Sequence, residues 1–528
     1  MFSLEHFREL SQRARVVDRR FFMAYFAGIA SVPFLESMVK GVTSSPAFVD
    51  DPFQLGVASG DPSHEEIVLW TRLAPRPLES GFGMRPEPVE VAWELADDEK
   101  FAKVRKRGIA TATPQLGHSV HVEVGGLQPD RWYFYRFRAG DAESPVGRTR
   151  TMPLPDVLPD KMRFAFASCQ HYEAGFYTAY EHMAENDFDL VFHLGDYIYE
   201  GKGQNGKIRK HIGREIRSLE QYRIRHGQYR SDPQLQAMHA SCPWMVTWDD
   251  HEFDNNYAND ISEKPGVDPV KFLVRRANAY QAYYEAMPLS RRSLPRGTNM
   301  RLYRSVSLGR LANALVLDTR QYRTDQPNSD KQHDLNDAAC SEHNTLLGKK
   351  QRDWMQAELA SSPASWNILA QQVMMGAVDR APGDVRGYSM DQWPGCLHER
   401  NQLLAFLGER RVSNPVVLTG DIHSNWVNDL RVDDFDLDSP VVATEFVGTS
   451  ICSGGNGLAA PPYLDDLLRE NPNVKFHNAE RGYVACELTP ETWRSDFFVV
   501  DDVTRPGGMV SKRASFTVES GVPSAHIS

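Results

Sequence analysis

The chain contains the stretch Leu190-Val191-Phe192-His193-Leu194-Gly195-Asp196-Tyr197-Ile198-Tyr199, in which an apolar run ends in Gly-Asp-Tyr. A short apolar run of this kind is typical of a buried strand. The glycine lets the backbone turn tightly, so that Asp196 points off the strand end. Because ligands of open α/β folds bind beyond the carboxyl ends of the strands, this stretch predicts an α/β fold with a site at that edge.

Three further segments place polar, metal-type side chains directly after an apolar run. They are Ser168-Cys169-Gln170, Trp248-Asp249-Asp250-His251-Glu252 and Gly420-Asp421-Ile422-His423, which follow residues 164–167, 244–247 and 416–418. Carboxylates, imidazoles, a thiol and a phenol placed just past buried strands can converge at one edge of a sheet. One such segment would mean little, whereas the set predicts a metal-centred hydrolase.

The residues around Asp196 have the chemistry of a mixed metal site. A strand-end carboxylate can bridge two cations, and the Tyr199 phenolate is a hard anionic donor that favours ferric iron. Taken alone, the segment equally fits an aspartate that caps a helix beside packed tyrosines. Cys169 is either a small buried hydrophobe or a thiolate ligand, and its place at a strand end favours the ligand. If Tyr199 is a ligand, His171 lies outside the metal site or on the surface.

The run Asp249-Asp250-His251-Glu252 places acids around one histidine, and such a run repels itself unless a cation lies among it. The alternative is a solvated acidic loop, but the apolar flank 244–248 indicates that the segment leaves the core. Asp250 is then a metal ligand, and His251 stays free to protonate a leaving oxygen. Asp421 and His423 are spaced so that extended backbone turns both to one site, on different metals. Their alternative is a turn aspartate with a surface histidine.

Two oxygen-rich metals bridged by an acid, with an iron-type phenolate, fit the hydrolysis of small-molecule phosphate esters. The cations polarise the phosphoryl oxygens and lower the pKa of a bound water, and the resulting metal-bound hydroxide attacks in line. The sequence contains no P-loop, GxSxG elbow or nucleotide-binding glycine pattern that would favour another chemistry.

The composition is that of a large globular protein. The 528 residues are 41% hydrophobic and 24% charged, which suits an ordinary core and suggests more than one domain. The formal net charge of −11 argues against nonspecific nucleic-acid binding, and a phosphate site must then carry its own positive charge. The six cysteines include no C-x-x-C pair, which excludes zinc-ribbon and thioredoxin-type sites and leaves one or two disulfides open.

The N-terminal segment, residues 1–47, has the features of an export signal. Arg19 and Arg20 precede an uncharged, moderately apolar stretch that ends at Leu35, and Ser45-Pro46-Ala47 offers small residues for a signal peptidase. This pattern predicts a twin-arginine signal, export by the twin-arginine translocase, and a periplasmic or secreted protein. The alternatives are an amphipathic helix or a membrane anchor, but the stretch is too short for a stable membrane span.

The rest of the chain divides by composition. Residues 52–152 carry alternating and aromatic strand patterns, and Leu127-Gln128-Pro129 followed by Tyr133 resembles the tyrosine corner of fibronectin type III domains. A Pro-rich linker follows, and over 160–505 strand-like runs alternate with helical stretches. We therefore expect a fibronectin-like β-sandwich at 52–152, a layered α/β catalytic domain at 160–505, and a loose polar tail at 506–528.

The chain resembles the PhoD-type alkaline phosphatases, within the wider calcineurin-like metallophosphoesterases. Besides the four segments above, the resemblance rests on residues 55–62, 69–73, 445–450 and 476–483, and it extends over about residues 53–503. It implies a metallophosphoesterase-type catalytic domain and a secreted phosphomonoesterase or phosphodiesterase that uses ferric iron and calcium. There are two alternative hypotheses for the function. One is an iron-dependent, phospholipase D-like phosphodiesterase on the same scaffold, and the other is a non-catalytic binding protein.

The resemblance also implies a role for individual residues. Iron is expected on Cys169, Asp196, Tyr199 and His423, and calcium on Asp196, Asp250 and Asp421. His251 occupies the position of the histidine that acts as an acid in related phosphoesterases. Asn256 is a further candidate calcium contact, and Arg214 is a candidate phosphate clamp among several arginines in 209–225.

Overall fold

The computed structural model describes residues 47–381 and 383–528, so the predicted signal segment lies almost wholly outside the described residues. The helices are α1 Thr178–Ala184, α2 Leu219–Arg230, α3 Pro233–Ser241, α4 Pro269–Ala286, α5 Gly348–Ser361, α6 Leu397–Glu409 and α7 Leu464–Glu470. None of the helices in this part of the chain has the length and apolar character needed to cross a membrane.

The first strands, all before residue 151, are β1 Val57–Gly60, β2 Ile67–Arg72, β3 Val89–Ala96, β4 Val104–Ala112, β5 Ser119–Val124, β6 Trp132–Ala139, β7 Ala142–Glu143 and β8 Gly147–Arg150. Those that follow are β9 Met162–Ala167, β10 Leu190–Leu194, β11 Trp244–Thr247, β12 Arg304–Leu308, β13 Ala312–Val316, β14 Trp366–Ala370, β15 Pro415–Thr419, β16 Asn425–Arg431, β17 Val441–Val447, β18 Gly457–Leu458, β19 Val474–Leu488, β20 Thr492–Val500, β21 Val510–Glu519 and β22 Val522–Ile527.

Two large sheets share the long strand β19. The first sheet has the order β11-β10-β9-β19-β20-β21-β22, and β9, β10 and β11 run parallel. The second has the order β12-β13-β14-β15-β17-β16-β19, with β13, β14, β15 and β17 parallel. The first part of β19 pairs with β16, and the later part pairs with β9 and β20, so one strand joins both sheets.

The two sheets enclose one core, and helices cover their outer faces. Along β9, Phe164 and Phe166 pack in the core between the sheets, while Ala165 packs with the outer layer of α1 to α4. On the second sheet, Leu369 packs outward with side chains of α5 and α6. Because successive side chains of a strand face opposite sides, strands covered on both sides read as continuous apolar runs. This explains why the sequence revealed these strands.

The N-terminal region forms two β layers around a separate core. Strand β2 pairs with β1 and with β5, and β1 joins this layer to β11 of the first large sheet at Gly60↔Trp244. Strands β4-β3-β6-β8 form the opposite layer. The core between them includes Leu69, Val91, Val122 and Phe137. The Tyr133 hydroxyl accepts a hydrogen bond of 3.0 Å from the backbone N–H of Gln128.

The prediction of a loose tail over residues 506–528 is wrong. Strand β21 pairs with β20 from Thr492↔Glu519 to Val500↔Val510, and β22 then pairs with β21. Only one face of β21 is buried, through Phe516 and Val518, and most of its other residues are polar. The composition therefore looked like a solvated tail, although its apolar side chains complete the core between the large sheets.

Candidate metal centre

The polar segments meet because their strands end side by side. Parallel pairing of β9, β10 and β11 brings residues 168–170, 195–200 and 248–252 out at the same edge. The backbone N–H of Cys169 donates to the Gly195 carbonyl at 3.1 Å. A Cβ on Gly195, whose φ is 111°, would lie 2.4 Å from Asp249 Cβ, and one on Gly420 would lie 2.7 Å from Ser168 Oγ. Both glycines are therefore required by close approach of the segments.

The backbone is strained at the predicted ligands. Cys169, Asp196, Asp421 and His423 have φ angles of 60°, 56°, 61° and 56°, in the left-handed region that residues with a side chain rarely adopt. Such strain persists only where the surroundings impose it, and it is concentrated at functional sites. Here the left-handed conformation turns each side chain from its strand end toward the candidate metal centre.

A first ligand group consists of Cys169, Asp196 and His423, whose ligand atoms all lie within 4.8 Å of one another. The Tyr199 hydroxyl joins them: it donates to Asp196 Oδ2 at 2.8 Å and lies 3.2 Å from His423 Nε2. The structure thus brings together a thiol, a carboxylate, a phenol and an imidazole that are separated by up to half of the chain.

A second group consists mainly of carboxylates and shares Asp196 with the first. Asp249, Asp250 and Asp421 have ligand atoms within 4.8 Å of one another, and so do Asp196, Asp250 and His251. Asp196 therefore belongs to both regions, as expected of a bridging carboxylate. Asp249 is an addition to the predicted set, because the sequence showed it as one acid of the run without a reason to choose it as a ligand.

These residues fit bound cations. Asp196 Oδ1 and Asp249 Oδ2 are buried without a hydrogen-bond partner. Burial, together with neighbouring carboxylates, raises the pKa of Asp196 and Asp249 well above the usual value and that of Asp421 to about 6. Burial likewise raises the pKa of the Cys169 thiol. Cations would hold these groups ionised and occupy the unpartnered oxygens, because positive charge offsets both desolvation and mutual repulsion.

His251 is held at the site by a carboxylate that the sequence did not single out for this role. Its Nδ1 lies 2.7 Å from Glu200 Oε2, and Glu200 Oε1 accepts from the backbone N–H of Asn255 at 3.2 Å. Burial alone would lower the pKa of His251, but Asp250, Glu200 and Asp196 outweigh it and raise that pKa well above its ordinary value. These carboxylates therefore favour the protonated form of the His251 ring.

Glu252 connects two ligand segments. Its buried carboxylate accepts hydrogen bonds from the backbone N–H groups of Asp196 at 3.0 Å, Asp249 at 2.9 Å, and Tyr197 at 2.5 Å. Burial raises the pKa of Glu252 to about 7 despite these donors. Its place in the acidic run was visible in the sequence, but its partners were not.

Arg320 supplies buried positive charge beside the carboxylates. Its guanidinium donates to Asp249 Oδ1 and, through both terminal nitrogens, to Asp391 at 2.6 and 2.8 Å. The sequence carried no signal for this residue, which lies 71 positions from each partner.

The two remaining predicted residues differ in their placement. The backbone N–H of Asn256 donates to Asp250 Oδ2 at 2.7 Å, and its side-chain amide donates to Asp330. Arg214 is exposed in the loop before α2, and among the described residues no hydrogen bond or ion pair holds its guanidinium. The structure thus links Asn256 to the carboxylate group and shows no such link for Arg214.

Comparison with known proteins assigns this chain to a family. The PhoD-like phosphatase family matches residues 164–497, and its N-terminal domain matches residues 40–153. The chain is 48% identical to alkaline phosphatase D of Bacillus subtilis (strain 168) over 527 residues, which cover 98% of this chain and 90% of the relative. The chain belongs to the PhoD-like phosphatase family. It is therefore a hydrolase of phosphoric ester bonds.

The chain is also similar to a solved structure and, over a shorter stretch, to a second phosphatase. A solved structure described as the structure of PhoD superposes with a TM-score of 0.89 at 49% identity, covering 91% of this chain and 93% of the other. Purple acid phosphatase 23 of Arabidopsis thaliana is 27% identical over 168 residues, which cover 28% of this chain and 35% of that protein. The mixed α/β fold with its large sheets is thus the fold of PhoD, and the resemblance stated from the sequence is confirmed.

Proposed function

We propose that the protein is an exported, metal-dependent alkaline phosphatase or phosphodiesterase. One observation carries the metal dependence: Cys169, Asp196, Tyr199 and His423 meet beside a group of buried carboxylates with unpartnered oxygens. Buried like charges without compensation are strongly unfavourable, so a site of this composition is suited to hold cations. The name of the Bacillus relative, an alkaline phosphatase, supports the alkaline activity.

The donor sets support different metals on the two sides of Asp196. Thiolate, phenolate and imidazole from Cys169, Tyr199 and His423 suit ferric iron. The all-carboxylate side, with Asp250 and Asp421, suits calcium, which prefers oxygen ligands. Asp249 can contribute its free Oδ2 to the same side, and Asn256, linked to Asp250 through its backbone, remains a candidate calcium contact.

The side chains around the cations divide the remaining work. Bound cations supply positive charge for the phosphoryl oxygens and activate the attacking water. His251 donates its proton to the leaving oxygen, and Glu200 keeps the imidazole in place and charged. Arg320 binds both Asp249 and Asp391, which fixes the position of Asp249 within the carboxylate group. Arg214 lies in an exposed loop, where it can meet a substrate phosphate only if that loop approaches the site.

We also propose the finer fold assignments that the sequence suggested. The two β layers of residues 52–152 and the contact of Tyr133 support a fibronectin type III-like domain in that part of the chain. The two sheets flanked by helices support a metallophosphoesterase-type catalytic domain, which includes β21 and β22 and so extends beyond residue 505. The twin-arginine pair Arg19-Arg20 supports export by the translocase to the periplasm or outside the cell.

The proposal is tested on protein purified without chelators. We expect iron and calcium by elemental analysis, a visible absorption band from the tyrosinate–iron site, and hydrolysis of an aryl phosphate at alkaline pH. An aryl phosphodiester and phosphatidylcholine, assayed in parallel, separate a phosphatase from the phospholipase D-like alternative. A colourless protein that is metal-free and yet fully active would refute the proposed metal dependence.

A further inference from the structure

The Tyr199 phenol contacts two imidazoles. The ring centroids of His171 and Tyr199 are 4.3 Å apart at an interplanar angle of 28°, and those of Tyr199 and His251 are 4.2 Å apart at 31°. Both histidine rings therefore pack against a candidate metal ligand, next to the candidate metal centre.

The two imidazoles differ in what holds them. His251 Nδ1 is bound to Glu200 at 2.7 Å, whereas no hydrogen bond to either ring nitrogen of His171 is found within residues 47–381 and 383–528. A carboxylate oxygen, Glu173 Oε2, lies 4.0 Å from Nε2. Both histidine side chains are about equally exposed, at 22% for His171 and 21% for His251. His171 thus has accessible nitrogens with hydrogen-bonding capacity to spare.

The backbone of His171 is fixed, although its ring nitrogens are not used. Its N–H donates to Ser453 Oγ at 3.0 Å, and its carbonyl accepts from Cys452 Sγ at 3.2 Å. Ser453 Oγ also lies 2.8 Å from the Tyr199 hydroxyl. Ser453 therefore links the backbone of His171 to the Tyr199 hydroxyl. A shared contact of this kind restricts the position of His171, as a substrate contact requires.

A metal ion on His171 is disfavoured by its surroundings. His171, Glu173 and His211 lie close enough together to hold a cation. However, Arg225 Nη1 lies 3.2 Å from His211 Nδ1, so that a guanidinium already faces the nitrogen that the ion would need. The positive charge of Arg225 opposes a cation at this place.

We propose that His171 binds the phosphate group of the substrate. The imidazole donates an N–H hydrogen bond to a phosphate oxygen, so that the phosphoryl group is contacted by His171 as well as by His251. This inference rests on the proposed function, because the phosphate is located by the metal centre. His171 is then a specificity-determining contact for the family's reaction, although the sequence analysis had placed this residue outside the metal site.

Two substitutions separate a phosphate contact from support of the phenol. His171→Phe keeps an aromatic ring against Tyr199 but removes both nitrogens, whereas His171→Asn restores an N–H donor. His182→Phe is the matched control, since this partly buried histidine of α1 bonds the Tyr483 hydroxyl and contacts none of the predicted ligands. Inorganic phosphate is the probe, titrated calorimetrically into metal-loaded protein, together with kcat and KM for an aryl phosphate.

For His171→Phe we expect phosphate affinity to fall about 10-fold or more, since hydrogen bonds to charged groups contribute that much. KM should rise by a similar factor with little change in kcat, and metal content and the visible band should be retained. His171→Asn should recover most of the affinity, and His182→Phe should match the parent. Unchanged phosphate affinity in His171→Phe, or a loss that parallels a loss of metal, would overturn the proposal.

Measurements on the parent protein distinguish failure of the proposed function from failure of the role proposed for His171. A parent without bound metal or ester hydrolysis refutes the proposed function, and the role of His171 with it. A coloured, active parent whose phosphate affinity is unaffected by His171→Phe refutes the role of His171 alone.

Discussion

The Glu200 carboxylate lies 2.7 Å from Nδ1 of His251, and only 8% of its side chain is exposed. A buried acid in contact with an imidazole stabilises the protonated ring and fixes its orientation. Glu200 follows Tyr199 directly, so a single turn of chain provides both a candidate iron ligand and the residue that positions the candidate acid.

Glu200→Gln should move the alkaline limb of the activity profile to lower pH. Glu200, with Asp250 and Asp196, raises the pKa of His251, so removal of its charge lowers that pKa. An acid catalyst must be protonated, and activity is then lost at a lower pH than in the parent. The measurement is kcat/KM against pH, with Glu215→Gln at a partly exposed ion pair as the control. An alkaline limb that does not move would contradict this role.

Tyr199→Phe should abolish the visible band, and Cys169→Ala should shift or weaken it. The phenolate is the expected source of a charge-transfer band with iron, and the thiolate alters the electron density of the same metal. Absorption spectra and iron content are measured for both variants. Tyr197→Phe is the control, because this buried hydroxyl bonds His239 and Arg230 instead of the ligand group. If both ligand variants keep full colour and iron, the assignment is wrong.

Glu252→Gln should reduce both stability and metal retention. The carboxylate accepts from backbone N–H groups of Asp196, Tyr197 and Asp249, and an amide has only one oxygen with which to replace it. Leaving buried donors unpaired costs about 2–3 kcal/mol of unfolding free energy. Denaturant unfolding and metal analysis after dialysis measure the two effects. Glu409→Gln, at the exposed end of α6, should behave like the parent.

Removal of the metals should make stability fall as the pH rises. In the metal-free protein the folded-state pKa of Asp421 is raised to about 6, and those of Asp196 and Asp249 are raised well above the usual value. A raised carboxylate pKa stabilises the folded state below the unfolded-state pKa, and this stability is lost as the pH increases through the folded-state value. Asp421 alone accounts for on the order of 3 kcal/mol.

The comparison for this prediction is between chelated and metal-loaded protein at each pH. The difference in melting temperature should widen from about pH 4 upward as Asp421 and its neighbours ionise. A difference that is constant over this range would show that the carboxylates are not coupled to the cations.

Phe516→Ala should destabilise the protein by about 3–5 kcal/mol, which is the usual cost of emptying a core position of this size. Phe516 lies in β21 and packs in the core between the large sheets, where it contacts the rings of Phe476 and Phe497. Lys512→Ala, on the same strand but exposed, is the control. Equal unfolding free energies for the two variants would support the loose tail that the structure rejects.

The sequence revealed some elements of this fold and concealed others for a physical reason. Strands β9, β10 and β11 are covered on both faces, so they appear as unbroken apolar runs. Strand β21 is buried on one face only, and the basic and polar residues of its other face made the segment look solvated. The alternation of strands and helical stretches predicted over 160–505 is seen in the structure, where helices such as α1, α2 and α5 lie between the strands.

The sequence itself determined the kinds of candidate ligand and their placement at strand ends. Cysteine, aspartate, tyrosine and histidine each follow an apolar run, and that order along the chain is enough to predict convergence. By contrast, only the tertiary structure decided which neighbour each buried charge has. Glu200 meets His251, Glu252 meets backbone amides of two segments, and Arg320 meets Asp249. A buried charge must be compensated, but the group that compensates it comes from wherever folding brings chain past it.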